Sequence, residues 1–300
     1  MLREKMDELN KKIRITHRIN DSSLDINNLS QYGLFLSIED KNLRAIVVDE
    51  AQKKCMLLED YRFSGVGSRA ETITQLTSIY DNHLVLKAGY WKEVVLVART
   101  GGYVTVPDEF FEPSKSASYL SFYSNQIENT SVKNFYHSQS QTQSIFYVEN
   151  EYMDWVQKAY PNKEVKIMHQ ADTFLAGALS ESTSESEIYI CIENRYMNMV
   201  ILKEGNLLLN NRYYYHSPQD FVYYVLFAID ELKLDIEACL VKLYGEISKD
   251  SGIFNLLYKY ISQVDFGKKP KSLSFSYVFD EVLEHRYFDL YNAYLCASKA

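Results

Sequence analysis

The sequence predicts an α/β protein of two tandem halves, each running βββαβαβα and each built on a mixed five-stranded sheet flanked by helices. Three observations point there. The segment Leu34-Phe-Leu-Ser-Ile-Glu-Asp-Lys-Asn-Leu-Arg-Ala-Ile-Val-Val48 has a counterpart in Ile188-Tyr-Ile-Cys-Ile-Glu-Asn-Arg-Tyr-Met-Asn-Met-Val-Ile-Leu202, with Glu39/Glu193 and Val48/Leu202 sharing one offset of 154 residues, about half of the 300-residue chain. Each copy is followed by the same succession of strand and helix signals. Between them lies Ser180-Glu-Ser-Thr-Ser-Glu-Ser-Glu187, a small, polar, acidic linker.

The elements follow in order. Residues 1–30 read as a polar N-terminal arm. Residues 33–39, 43–49 and 53–63 are β-branched and aromatic runs separated by polar turns, and form a meander of three strands. Ser68-Arg-Ala-Glu71 has capping-box spacing, and Ile73, Leu76, Ile79 and Tyr80 follow at helical intervals, so a helix begins there. Val94-Val-Leu-Val-Ala98 supplies a buried strand. Residues 100–143 have no counterpart in the second half and read as an insertion. Strand 144–148, helix 150–160, strand 164–168 and helix 172–179 close the first half.

In the second half strands are expected at 187–192, 196–203 and 206–215, with Glu204-Gly205-Asn206 as a tight turn. Ser217-Pro218-Gln219-Asp220 opens a helix with a capping serine, a proline where its missing N–H is harmless, and an acid at the positive helix end. Phe221, Val225, Ala228, Ile229 and Leu232 form its apolar face. Strand 239–243, a helix near 251–263, a strand near 271–276 and a helix over 285–297 complete the pattern.

Composition limits the function classes. With 46% hydrophobic and 24% charged residues the chain is ordinary globular material, and a formal net charge of −8 argues against a nucleic-acid binder, which shows a basic surplus. Lys268-Lys-Pro-Lys271 is a small basic cluster that reads as a solvated loop. No apolar run is long enough for a membrane span and the first residues are charged, so a cytoplasmic protein without a transmembrane segment is expected. Cys55, Cys191, Cys239 and Cys296 are widely spaced in apolar runs; reduced core thiols are expected, with neither disulfides nor zinc.

A βββαβαβα unit used twice resembles the ribonuclease-H-like fold as duplicated in the actin, sugar kinase and heat-shock-70 superfamily. The chain is similar in particular to the actin homologues of pilus assembly and cell division, whose second domain opens with a strand, a phosphate turn and a strand ending Lys-x-Gly-x-Leu, as in Leu202-Lys-Glu-Gly-Asn-Leu-Leu208. It also resembles an uncharacterised bacterial family of this shape, a domain of unknown function. The resemblance implies a first ribonuclease-H-like domain over 31–180, interrupted by the insertion of about 100–143, and a second over 188–300.

In active members of that superfamily the turn after each opening strand reads about Asp-x-Gly-x-x-Ser/Thr. Glycine lets backbone N–H groups reach the phosphates, the hydroxyl bonds them, and the aspartate positions magnesium or water. Here the turns are Glu39-Asp-Lys-Asn-Leu-Arg44 and Glu193-Asn-Arg-Tyr-Met-Asn198, with no glycine, serine or threonine in either. The adenosine-binding turn, glycine-rich in the family, keeps one glycine in Tyr244-Gly-Glu-Ile247. The resemblance therefore implies a chain whose nucleotide motifs have degenerated. The expected function is that of a non-catalytic scaffold or adaptor with an unidentified protein partner and no cofactor; oligomeric state is left open. The alternative is an ATPase or small-molecule kinase with an atypical phosphate site, in which Glu39, Asp40 and Glu193 are catalytic and Asn42, Asn194 and Gly245 hold the nucleotide. A third reading is a regulator binding another ligand in the interdomain cleft.

Other signals are weaker. Gly65-Val-Gly67-Ser-Arg-Ala70 matches a dinucleotide fingerprint, but the preceding strand is third in a meander and the next ends Val97-Ala98-Arg99 without a ribose-binding acid, so it reads as a loop and helix cap. Glu39, Asp40 and Glu193 as a two-metal set yield to solvated turn acids, and the six histidines lack ligand spacing, so no metal site is assigned. Tyr213-Tyr214-Tyr215, within a chain of 25 tyrosines, is a candidate protein interface, although alternation along a strand must bury at least one of the three.

Overall fold

The computed structural model describes residues 12–124 and 127–299. Its first sheet grows from runs with apolar residues at both odd and even positions, which suits strands buried on both faces. β2 (Tyr32–Glu39), β3 (Asn42–Asp49) and β4 (Lys54–Phe63) form the expected antiparallel meander, and β5 (Glu93–Ala98) and β9 (Val165–His169) add in parallel beside β2. With β1 (Ile13–Asn20) beside β4 at the edge, the strand order is β1-β4-β3-β2-β5-β9. Leu34, Leu36, Ile38, Leu43, Ala45, Val47 and Leu96 fill one face beneath α1 (Arg69–Asn82) and α3 (Asn150–Ala159). The intervening residues Phe35, Ile46, Val48, Val95 and Val97 fill the other. Each such large side chain contributes about 1.5–3 kcal/mol by leaving water.

The second sheet has the order β12-β11-β10-β13-β14, the same arrangement as β4-β3-β2-β5-β9. It comprises β10 (Ser186–Glu193), β11 (Tyr196–Lys203), β12 (Asn206–Tyr214), β13 (Leu240–Gly245) and β14 (Val264–Phe266). Ile188, Ile190, Met199 and Ile201 face α5 (Pro218–Glu231) and α6 (Gly252–Leu257). Tyr189, Cys191, Val200 and Leu202 face α4 (Gln170–Glu181). The turn Glu204-Gly205 has positive φ at both residues, as a tight hairpin requires.

Two short helices, α7 (Phe288–Tyr291) and α8 (Ala293–Ala297), pack with α4 between the sheets, α8 against β2 and β5 and α4 against β11 and β12. The approach is close: a Cβ at Gly177 of α4 would lie 2.3 Å from Asn292 Nδ2 and 2.6 Å from the Phe288 ring. Leu273, Phe279, Val282, Tyr287 and Leu290 then cover the second face of the first sheet, so this segment, which follows the second sheet in sequence, returns to the first. The insertion is a three-stranded antiparallel sheet, β6 (Tyr103–Pro107), β8 (Thr142–Glu149) and β7 (Thr130–His137), with α2 (Ser116–Ser121) and a small core of Leu120, Ile145 and Tyr147.

Several expectations need correction. The first sheet has six strands, not five, because Ile13–Asn20 of the supposed arm form β1, antiparallel to β4; residues 1–11 lie outside the described residues. The expected strand 144–148 exists, but as the central strand of the insertion's sheet. The strand near 271–276 does not form. That stretch makes a single bridge, Ser274 to Lys54, where β1 has ended and β4 has a free edge, while the place beside β13 goes to Val264–Phe266. The helix near 251–263 stops at Leu257, and that over 285–297 is two short helices meeting at Asn292.

Candidate functional site

In sheets of this kind ligands bind at the carboxyl ends of parallel strands. Here the carboxyl ends of β2, β5 and β9 and those of β10 and β13 converge on one junction, and the two repeated hairpins meet there. Glu39 pairs with Asn42 across the first hairpin and Glu193 with Tyr196 across the second. The hairpins touch: Asn194 Nδ2 donates to Glu39 Oε1 at 3.2 Å.

Behind that contact lies a buried polar network. β3 alternates Leu43, Ala45 and Val47 to one face and Arg44, Ile46 and Val48 to the other, which carries the Arg44 guanidinium to the junction. Arg44 and Arg99, just past β5, both donate to the Glu193 carboxylate, as does Gln170 at the start of α4. Arg44 also reaches Glu246 Oε1 at 3.1 Å and lies 3.5 Å from Asp60. Asp60 accepts from Asn42 Nδ2 at 2.7 Å and from the Tyr287 hydroxyl at 2.6 Å. Gln170 donates to Asp289 at 2.8 Å. Arg212 donates to Asn198 at 2.8 Å, and its guanidinium lies 4.4 Å over the Tyr196 ring. Arg44, Arg99, Arg212, Glu193, Asp60, Asp289 and Gln170 are all buried.

The electrostatics follow from this packing. Burial by itself raises the Glu193 carboxyl, but Arg44 and Arg99 outweigh it and hold the group down at about 2. Asp60 is likewise lowered against its burial, chiefly by Arg44, whereas Asp289 is raised by burial and by its neighbour Glu193. A general base works best with a pKa near the ambient pH. Glu193 is far below that range, and both its oxygens are engaged by donors. The arrangement therefore acts as an ionic tie between the halves.

The sequence-derived site residues divide. Glu39, Glu193, Asn42 and Asn194 come together at the junction. Asp40 is exposed and turns away, its Oδ1 accepting from the Tyr152 hydroxyl at 2.6 Å. Gly245 has φ +85, and a Cβ there would lie 2.2 Å from the Ile192 carbonyl oxygen, so this glycine serves close strand packing. Tyr196 fills the space over Gly101, where a Cβ would meet its hydroxyl at 2.5 Å. Among the described residues no group of three His, Cys, Asp or Glu side chains could hold a metal ion. Of the three tyrosines, Tyr215 is buried with its hydroxyl on the Asn194 carbonyl at 3.0 Å, Tyr213 is half-buried and stacks on Tyr224, and Tyr214 is exposed. The arginines and Gln170, Asp289 and Tyr287 carried no motif. The available signal was the charge inside strand-forming runs at Arg44 and Asp60 and directly after one at Arg99, which presupposes buried partners.

A second buried cluster, supporting this one, fixes the insertion. The Tyr103 hydroxyl donates to Asp172 at 3.0 Å and accepts from Asn210 at 2.9 Å, and His137 bonds Asp172 at 3.0 Å. His169 caps α4, accepting at Nδ1 from the Ala171 N–H, while its Nε2 faces the Thr100 carbonyl at 3.0 Å.

The model of a family described as a protein of unknown function, DUF3822, matches residues 21–264. Among solved structures, a Bacteroides thetaiotaomicron protein with an actin-like ATPase fold and unknown function is 17% identical, with a TM-score of 0.75 over 92% of this chain and 100% of that one. The PilM–PilN type IV pilus biogenesis complex contains a chain 12% identical, with a TM-score of 0.54 over 89% of this chain and 98% of that one. These likenesses show the actin-like ATPase fold. No curated protein sequence matches. Among the described residues no helix is long and apolar enough to cross a membrane.

Proposed function

The chain belongs to the DUF3822 family, and on that premise we propose that it is a non-catalytic actin-like protein, a scaffold or adaptor for other proteins. In this reading it is a tandem duplication of ribonuclease-H-like domains, 31–180 with its insertion and 188–300, that has kept the frame of a nucleotide-handling fold and given up the nucleotide. The shared strand order of the two sheets supports the duplication. One observation carries the loss of nucleotide: the two hairpins that would face the phosphates are in contact, Asn194 on Glu39, and the junction behind them is filled by Glu193 clasped between Arg44 and Arg99.

Neither hairpin offers the bare backbone and hydroxyls that a phosphate chain requires. The residues present do not fit magnesium–nucleotide, and no reaction step is assigned to it. The solved PilM–PilN complex, in which a protein of this fold is part of a protein assembly, supports the scaffold reading at the level of fold.

Calorimetry with magnesium and ATP on the full chain tests the proposal. No heat of binding is expected at millimolar nucleotide. Micromolar binding that Glu193→Ala abolishes would overturn it in favour of an ATPase or kinase.

A further inference from the structure

α1 and α3 lie side by side on the first sheet, and each carries two stripes. The core stripes are Thr72, Gln75, Leu76 and Ile79 on α1 and Tyr152 and Val156 on α3. The second stripes run at the same helical spacing, from Ala70 through Ile73 and Thr77 to Tyr80 and from Glu151 through Trp155 to Ala159. They face each other across an open groove of about 570 Å³. Its length along α1 is about 16 Å, or three turns of helix.

The floor is apolar and rigid. The Trp155 indole N–H is held by Thr77 Oγ1 at 3.0 Å, the Tyr80 hydroxyl donates to the Ala159 carbonyl at 2.9 Å, and the two rings meet edge to face at 6.1 Å. With their polar tips bonded, Trp155 and Tyr80 offer hydrocarbon, as does Ile73 beside them. The rim is acidic. Of the residues that line the groove, Asp81, Glu151 and Asp154 are acidic and Lys158 alone is basic. Glu151 is paired, with Arg69 at 3.6 Å, whereas Asp81 and Asp154 enter no ion pair among the described residues. Asp81 also sits in the last turn of α1, which has no basic residue, so its charge adds to the negative end of the helix dipole. The Lys87 ammonium, 3.3 Å from the Asp81 carbonyl oxygen, meets that helix end but forms no ion pair with the Asp81 carboxylate.

We propose that this groove docks a short basic amphipathic helix of a partner protein, large apolar side chains resting on Trp155, Tyr80 and Ile73 and lysines or arginines reaching Asp81 and Asp154. The inference rests on the scaffold reading and gives it a site. A third helix laid between two others is a standard way to bury an apolar face, and the unbalanced acids set the sign of the partner's charge.

The test uses the full chain and two synthetic fourteen-residue amphipathic peptides of the same leucine stripe, one with lysines and one with glutamates on the polar face. Each is titrated against Trp155 fluorescence. Saturable binding of the lysine peptide is expected, weakened at least about tenfold by Asp81→Lys with Asp154→Lys and by high salt, with no binding of the glutamate peptide. Both substitutions are at exposed positions, and an unchanged thermal midpoint serves as the folding control. Equal binding of the two peptides, absence of binding, or binding that ignores the double substitution would overturn the proposal. So would self-association of the chain abolished by the double substitution, since the occupant would then be a second copy. Partners captured equally by the wild-type and doubly substituted chains would defeat the groove and leave the scaffold reading standing; nucleotide binding in the calorimeter defeats that reading instead.

Discussion

Glu193 is the residue on which the junction turns, because one carboxylate answers two buried guanidiniums. Removing one partner of a buried ion pair leaves the other's charge uncompensated, and this is expensive. Glu193→Gln is expected to lower the free energy of unfolding by about 3–5 kcal/mol in urea titrations, while the exposed neighbour Asp40→Asn changes it by less than about 1 kcal/mol. A second prediction concerns Glu149, whose carboxyl burial pushes up to about 7 from an ordinary 4.5. Its folded state holds a proton that the unfolded chain releases, so its contribution to stability is full below pH 4.5 and declines as pH rises to 7. His169, held neutral by burial and by Arg212 with a pKa near 3, has the opposite slope, losing stability as pH falls from 6.5 to 3. The difference between Glu149→Gln and wild type isolates the first effect: near zero below pH 4.5, it grows to about 3 kcal/mol in favour of the variant above pH 7. At this scale the sequence made the acids legible, since Glu39 and Glu193 end matching strands. It hid their partners. Arg212 and Asp289 come from distant elements with no local pattern, and only the three-dimensional meeting of sheet ends gives them a role.

Elements were legible where a run was long and its period clear. β2 and β3, β10 and β11, and α5 with its serine cap and N1 proline lie within a residue or two of where the pattern puts them. β1 was missed because an edge strand facing solvent mixes Arg14, His17 and Arg18 into its alternation and is shifted by a bulge between Ile15 and His17. β14 is three residues long, too short to carry a signal, whereas Leu273 and Phe275 alternate like a strand but pack against the first sheet. Glycines give a test of element packing. Gly205, at φ +76 with nothing within 4 Å of a Cβ, should tolerate Ala at about 1 kcal/mol. Gly245 combines φ +85 with a Cβ position 2.2 Å from backbone, and Gly245→Ala should be several-fold more damaging, read as the larger fall in thermal midpoint.

The whole molecule is held together by segments that belong to neither sheet alone. Every residue of α4 from Gln170 to Leu179 is buried, its Phe174 and Leu175 in the core of the second sheet and its Ala176 in that of the first. Residues 273–297 supply the cover for Phe35, Ile46, Val48, Val95 and Val97. This has a consequence for synthesis. As the nascent polypeptide leaves the ribosome, those five side chains wait with one face bare until residues 273–297 have emerged, so the half translated earlier is completed only after the second sheet has been made. A fragment ending at Ser182 should accordingly bind the dye ANS and precipitate, and a separately added 183–299 piece should restore solubility if the tail can find that face in trans.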